Sequence, residues 1–172
     1  MDTTELIGAV AIAALLGGGL AYLFWNERKK ARKKTVETKE SDPGMRPLQL
    51  QAYERLILLA ERIAIPNIVN RINQPGVTVR DMQLLLTQTI KQEFEHNVTQ
   101  QIYVTTEAWE AVRNLKEQNL HIINQVASYM PLESSGTDLN KNLLEMLVQN
   151  PKASLHEIVA EVLSYEAKKI MN

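Results

Sequence analysis

The chain has 172 residues, no cysteine and a formal net charge of −1, from 19 basic and 20 acidic residues. The absence of cysteine excludes disulfides, thiol catalysis and thiolate metal sites, and it agrees with a reducing, cytosolic setting. Six basic and three acidic residues fall within positions 1–34, so the rest of the chain is mildly acidic.

Residues 6–25, LIGAVAIAALLGGGLAYLFW, form a run of twenty positions without a charge. A helix of that length covers about 30 Å, the thickness of the hydrocarbon core of a bilayer. A cleaved signal peptide would need a basic start and a shorter apolar stretch, whereas residues 1–5 are acidic through Asp2 and Glu5. The sequence therefore predicts one transmembrane helix preceded by a short extracytoplasmic N-terminus at residues 1–5.

A basic cluster follows the apolar run and consists of Arg28, Lys29, Lys30, Arg32, Lys33 and Lys34. Basic residues beside a span favour its cytosolic side, so we expect the N-terminus outside and the C-terminal domain in the cytosol. These residues suffice to set the topology, and we also expect them to contact anionic lipid headgroups. They adjoin the bilayer and no aromatic residues are interleaved after them, so no nucleic-acid partner is expected.

Small residues recur every four positions in the predicted span, at Ala9, Ala13, Gly17 and Ala21. Such a strip lets two helices approach closely in lipid, and it makes a weak homodimer through the transmembrane helix a candidate. Glycine and alanine make up nine of the twenty residues, so the same spacing also arises from composition alone.

Residues 26–47 combine the basic cluster with a polar stretch that holds Pro43, Gly44 and Pro47, which is typical of a juxtamembrane segment and linker. Residues 48–172 are enough for one domain with its own core. Within them, apolar residues recur at intervals of three and four, as in amphipathic helices. The predicted fold class is all-α, with a single transmembrane helix, a polar linker and a cytosolic bundle of four to five helices.

The predicted helices are placed by their starts and stops. The first covers residues 48–64, and Pro66 then leads into a short irregular or one-to-two-turn segment. Thr78 caps the second helix with Asp81 in its first turn, and Thr106 is the expected cap of the third. Residues 101–104 alone look extended, and they are too few to build a sheet.

Two more helices complete the bundle. Thr137 or Asp138 is expected to cap the fourth, which runs to about residue 149. Ser154 and Glu157 form a capping box that opens the last helix, over residues 155–170.

The third predicted helix carries a seam with heptad spacing, formed by Ala108, Val112, Leu115, Asn119, Ile122, Val126 and Tyr129. Asn119 is its one polar member. A buried asparagine in such a seam can fix the register of two paired copies. The alternative is an ordinary bundle within one chain, in which Asn119 would lie at a solvent-exposed edge. Three heptads are short for a coiled coil, which favours the bundle.

Candidate catalytic motifs are incomplete. Glu93 and His96 form an E-x-x-H pair, but di-iron bundles need a second copy and two further glutamates. His156 and Glu157 begin like a zinc-protease motif, in which Ala160 occupies the position of the second histidine. His121 is expected to be structural, and the glycine motifs of phosphate loops and nucleophile elbows are absent. No catalytic residue, metal site or cofactor is predicted.

Polar and aromatic side chains crowd the end of the second predicted helix and the start of the third: His96, Gln100, Gln101, Tyr103 and Trp109. Polar groups at a helix end usually satisfy free backbone carbonyls and hold the following loop. Tyrosine and tryptophan also dominate the energetics of protein interfaces, so these five residues are a candidate partner surface.

The stretch EFEHNVTQQIYVTTEAW at residues 93–109, with Arg71 and Gln74-Pro75-Gly76 before it, resembles an uncharacterised bacterial family of short, N-terminally anchored helical proteins. The resemblance covers most of the chain beyond the linker. It implies a bacterial origin, hence the cytoplasmic (inner) membrane, and an anchor followed by a bundle. It implies no activity, because that family is a domain of unknown function.

Two hypotheses from different classes follow. The first is a membrane-tethered, non-catalytic interaction or scaffold module, which would contact the lipid bilayer and an unknown protein partner. The alternative is a small metal-dependent hydrolase whose site is assembled from dispersed glutamate and histidine residues. The absence of a catalytic constellation favours the first.

Overall fold

The computed structural model describes residues 44–149 and 155–171, which belong to the second of two compact units, residues 43–172. The predicted span, the basic cluster and Ser154 lie outside the described residues. In the described part, every helix is too short or too polar to cross a bilayer.

Six α-helices and one 3-10 helix make up this part of the chain. They are α1 (Arg46–Ile63), α2 (Ile65–Ile72), α3 (Val79–Glu95), the 3-10 helix (Val98–Ile102), α4 (Thr106–Ser128), α5 (Gly136–Gln149) and α6 (His156–Met171). The all-α prediction is confirmed, but the number of helices exceeds four to five because the segment around Pro66 is a helix of its own. Pro66 lies in the first turn of α2, where no intrahelical partner for its nitrogen is required.

The N-caps agree with the sequence at one helix and differ at two. The Thr78 hydroxyl accepts a hydrogen bond from the Asp81 amide at 3.2 Å, as predicted. At α4 the cap is Thr105 rather than Thr106, because Thr105 keeps an extended backbone and its hydroxyl accepts from the Ala108 amide at 3.1 Å.

At α5 the cap is Ser135 rather than Thr137 or Asp138. The Ser135 hydroxyl accepts from the Asp138 amide at 3.2 Å, while the Asp138 carboxylate accepts from the Ser135 amide at 3.1 Å. This reciprocal pair is a capping box in which aspartate takes the usual place of glutamate.

The extended segment predicted at residues 101–104 is wrong. Val98–Ile102 forms a 3-10 helix instead, and the Tyr103 amide continues the pattern by donating to the Gln100 carbonyl at 3.0 Å. An isolated extended segment would leave these groups without backbone partners, whereas three-residue spacing satisfies them locally.

The core lies between the apolar faces of the helices. Helices α1 and α6 form the most extensive pair and run antiparallel, since Tyr53 meets Glu166 while Gln49, one turn earlier, lies near Lys169 and Ile170. Every α-helix contributes buried residues, among them Leu56, Ile68, Met82, Ile90, Leu115, Ile123, Leu143 and Leu163.

Asn119 lies inside this core with only 4% of its surface exposed. Its side-chain amide donates to the carbonyl of Ile63, the last residue of α1, at 2.8 Å. That carbonyl has no partner within its own helix. Asn119 is therefore neither at a solvent-exposed edge of the bundle nor in a seam between two copies. Both interpretations made from the sequence are wrong.

The starts of α3 and α5 are joined side by side. The Val79 amide donates to the Ser134 carbonyl at 3.1 Å, and the Gly136 amide donates to the Val77 carbonyl at 2.8 Å. A Cβ atom at Gly136 would lie 2.7 Å from Cγ2 of Val77 and 2.8 Å from Cβ of Met82. Glycine is needed there because the two loops approach so closely.

Candidate functional site

One buried tyrosine connects three helices at one end of the domain. Tyr53 of α1 is 1% exposed, and its hydroxyl donates to Oε2 of Glu166 in α6 at 2.6 Å. The same hydroxyl accepts from the backbone amide of Thr105, the N-cap of α4, at 3.2 Å. The Thr105 hydroxyl donates to the same carboxylate oxygen at 2.5 Å. Burial, and then the bond to the Glu166 carboxylate, raise the pKa of Tyr53, so the phenol stays protonated at neutral pH.

A cleft of about 320 Å³ opens beside this triad, and we call it the Tyr53 cleft. Its apolar walls come from Ile102, Tyr103, Val104 and Ile170, and its polar lining from Gln49, Tyr53, Thr105, Glu166 and Lys169. The cleft therefore combines apolar walls with a few polar groups, which is the usual character of a binding pocket.

Gln49 gives the cleft an unsatisfied acceptor. Its side-chain oxygen is buried and accepts no hydrogen bond from any described residue. A buried acceptor without a donor is unfavourable. Lys169, at the rim, lies over the ring of Tyr165 with Nζ 4.2 Å from the ring centre.

One oxygen of Glu166 already accepts from two hydroxyl groups, and the Tyr53 proton is held between the phenol and that carboxylate. A group with an apolar body fits the apolar walls of the cleft.

A second polar cluster surrounds Glu93. Arg62 donates to both of its carboxylate oxygens, from Nε at 2.8 Å and from Nη2 at 2.6 Å, and Nη2 of Arg71 lies 3.1 Å from Oε1. The hydrogen bonds from Arg62 hold the pKa of Glu93 below its ordinary value. Glu93 is thus engaged by two guanidinium groups rather than directed at a metal with His96. In the described residues, no three histidine, aspartate or glutamate side chains gather closely enough to hold a metal ion.

The five residues of the candidate partner surface differ in their surroundings. Tyr103 lines the Tyr53 cleft, while Trp109 is half-buried against Phe94 with ring centres 5.0 Å apart. His96 and Gln101 are exposed, and Gln100 is half-buried with its amide 3.4 Å from the Thr99 hydroxyl.

The neighbouring Asn97 makes the contact expected of a polar side chain at a helix end. It donates to the Glu93 carbonyl at 2.8 Å.

Sequence reasoning missed all five residues of the polar lining of the cleft: Gln49, Tyr53, Thr105, Glu166 and Lys169. Tyr53 and Glu166 are separated by 113 positions, and no local spacing signals such a contact. The one available signal was a tyrosine on the apolar face of α1, because a buried tyrosine usually finds a partner for its hydroxyl. The predicted lipid contacts at residues 28–34 lie outside the described part of the chain.

Comparison with known proteins finds a family model. No curated protein matches the chain, and no solved structure does. A family model described as a family of unknown function, DUF7935, matches residues 2–170. That match covers nearly the whole sequence, and the uncharacterised family suggested by residues 93–109 is thereby confirmed. The chain belongs to this family of unknown function, DUF7935.

Proposed function

We propose that this protein is a single-pass, membrane-tethered and non-catalytic interaction module, whose helical domain works on the cytosolic face of the membrane. The uncharged run at residues 6–25 supports the tether, and the six basic residues within positions 28–34 support the orientation. The family assigns no role that would replace this proposal.

The Tyr53 cleft carries the interaction part of the proposal. Ile102 at its edge is 71% exposed, and the Gln49 oxygen inside lacks a donor. A protein partner that inserts an apolar side chain would bury Ile102, and a neighbouring N–H of that partner would donate to the Gln49 oxygen. The triad of Tyr53, Thr105 and Glu166 would hold the walls in place, so the site would be preformed.

The tether is tested by fusing a reporter after Asn172 and separating membranes from the cytosol. We expect the full chain in the membrane fraction, with activity only from a reporter that works in the cytosol. Activity of an export-dependent reporter at this position would overturn the orientation, and a chain found entirely in the cytosol would overturn the tether.

The cleft is tested by photo-crosslinking in native membranes. A benzophenone side chain is placed at Ile102, and the matched control is Val148, which is 79% exposed on α5. We expect a discrete protein adduct from position 102 alone, and we expect Gln49→Leu to abolish it because the acceptor is lost. Equal adducts from both positions, or an adduct that Gln49→Leu leaves unchanged, would reject the cleft as the contact site.

The non-catalytic part of the proposal is tested by metal analysis of the purified full chain. We expect no stoichiometric transition metal. A stoichiometric metal would instead support the dispersed glutamate and histidine site of a hydrolase.

A further inference from the structure

Helix α6 has an apolar stripe on its outer face. Ile158, Val162 and Tyr165 recur at the spacing that places side chains on one face of a helix, and they are 55%, 39% and 62% exposed. A neighbouring face of the same helix enters the core through Val159 and Leu163, which are 6% and 0% exposed. The stripe is thus additional to the apolar surface that holds α6 in the domain.

Exposed charges of opposite sign occupy the two halves of α6. Glu157 and Glu161 lie in the first half of α6, Lys168 and Lys169 lie in its last turn, and all four side chains are exposed. None of them forms an ion pair with another described residue. This order of charges also suits the helix dipole, but the dipole does not account for the exposed apolar stripe.

We propose that the exposed face of α6, formed by these seven residues, is a homodimer interface that pairs antiparallel with α6 of a second copy. A two-fold interface requires a surface that is complementary to itself. When two such helices run antiparallel about an axis near residue 163, the acidic half of each faces the basic half of the other. Val162 of each copy then lies nearest the axis, with Ile158 and Tyr165 on either side of it. In a parallel pair, Glu157 and Glu161 of one copy would instead face the same acidic residues of the other.

The same charges favour a second copy over a lipid surface. An anionic bilayer would attract Lys168 and Lys169 but repel Glu157 and Glu161 on the same face. A second copy neutralises all four.

The stripe is narrow, and stable complexes usually bury about 800 Å² on each partner. We therefore expect weak pairing that the proposed membrane tether strengthens by keeping copies at high effective concentration. This pairing goes beyond the proposed function, but it rests on the membrane tether that is part of that proposal. Asn119 of α4 takes no part in it, because this side chain is hydrogen-bonded within the domain.

Energy transfer between labelled copies of the full chain tests the interface. The chain has no cysteine, so Asn114→Cys on the exposed side of α4 gives one labelling site. Donor-labelled and acceptor-labelled chains are reconstituted together in neutral phosphatidylcholine vesicles and recovered by flotation. Failure to float would count against the tether, whereas the pairing is decided by the energy transfer of the floated protein.

Four variants separate the outcomes. Val162→Glu places a charge in the stripe, and Val148→Glu is the matched control on α5. One double variant carries Glu157→Lys and Glu161→Lys, and the other carries Lys168→Glu and Lys169→Glu. The double variants change exposed residues only, so they test the interface even where Val162→Glu perturbs the fold.

We expect wild type and Val148→Glu to show energy transfer above the level of non-interacting chains. Val162→Glu and each double variant alone should fall to that level, and a mixture of the two double variants should regain transfer because opposite charges again face each other.

Absence of transfer in wild type would overturn the interface. Transfer that survives both Val162→Glu and the charge reversals would also overturn it and assign association to the predicted span. Transfer seen only with anionic vesicles would assign the face to lipid instead.

Discussion

Tyr53 joins α1, α4 and α6 through a single hydroxyl group, which donates to Glu166 and accepts from the Thr105 amide. Tyr53→Phe removes both bonds while keeping the buried ring. We expect the free energy of unfolding to fall by about 1–2 kcal/mol, the usual effect of leaving buried groups unpaired. Urea denaturation measures it, with Tyr129→Phe as control, because Tyr129 is 80% exposed and should change little.

Alkaline pH provides a second readout for the same pair of variants. The pKa of Tyr53 is raised above its ordinary value of 10.0 in the folded domain, so the stabilisation is complete below that pH. It is lost as the pH rises through the higher folded pKa. The difference between wild type and Tyr53→Phe should therefore shrink above pH 10, and a constant difference would contradict the buried phenol.

Glu93 makes the stability of the domain sensitive to acidic pH, whereas Tyr53 makes it sensitive to alkaline pH. Its folded pKa lies below the ordinary value of 4.5, because Arg62 donates to both oxygens of the carboxylate. The stabilisation is present above the ordinary pKa and is lost as the pH falls through the folded pKa. Glu93→Gln should flatten the loss of thermal stability on acidification, whereas Glu145→Gln, at an exposed site, should follow wild type. Equal acid sensitivity in all three proteins would contradict the assignment.

At the scale of elements, the Asn119 side chain on α4 caps the C-terminal end of α1. It supplies α1 with the hydrogen-bond donor that its last carbonyl lacks. Asn119→Leu should destabilise the domain by about 1–3 kcal/mol because that carbonyl is left buried and unpaired. Thermal unfolding tests this, with the exposed Asn114→Leu on the same helix as control. Light scattering should give the variant the same mass as wild type. A changed mass would support pairing of two copies through the heptad seam of α4.

Gly136 allows the starts of α3 and α5 to lie side by side. Gly136→Ala should destabilise the domain by about 1–3 kcal/mol, because its Cβ would meet Val77 and Met82 and force the two loops apart. Gly76 is a poor control, since its φ of +82° disfavours alanine for a different reason. Thr137→Ala, one residue further along α5 and exposed, is the matched control.

Helix starts also show what the sequence determines and what it leaves open. The cap at Thr78 was predictable because Asp81 follows at the right spacing and no competing hydroxyl precedes it. At Thr105 and Thr106, and again at Ser134, Ser135 and Thr137, several residues qualify by type. The contacts of the neighbouring loop decide between them, and in the second case the bridge to Val77 and Val79 fixes the start at Ser135.

At the scale of the whole molecule, the all-α plan was predictable because helical periodicity is a local property of the sequence. The Tyr53 cleft was not, because it forms only where α1, the 3-10 helix, α4 and α6 converge. Tyr53 comes within reach of Thr105 and Glu166 across separations of 52 and 113 positions. Local spacing does not determine such contacts.

The pairing of α1 with α6 predicts the effect of truncation. A chain that stops after residue 149 lacks α6, and with it the Glu166 carboxylate and the buried Val159 and Leu163. We expect this chain to lose cooperative thermal unfolding, whereas removal of residues 1–43 should leave a cooperative transition followed by circular dichroism. A cooperative transition in the chain without α6 would show that the antiparallel pair is dispensable.

The pairing of α1 with α6 also sets the timing of folding during synthesis. Residues 64–155 must be made after α1 before its main packing partner exists, which at ordinary translation rates takes on the order of ten seconds. Throughout that interval the apolar face of α1, including Tyr53 and Leu56, has no α6 to cover it. The nascent protein would thus be open to chaperones and proteases until α6 emerges, and a ribosome that stalls before α6 would leave a product that quality control can recognise by that uncovered face.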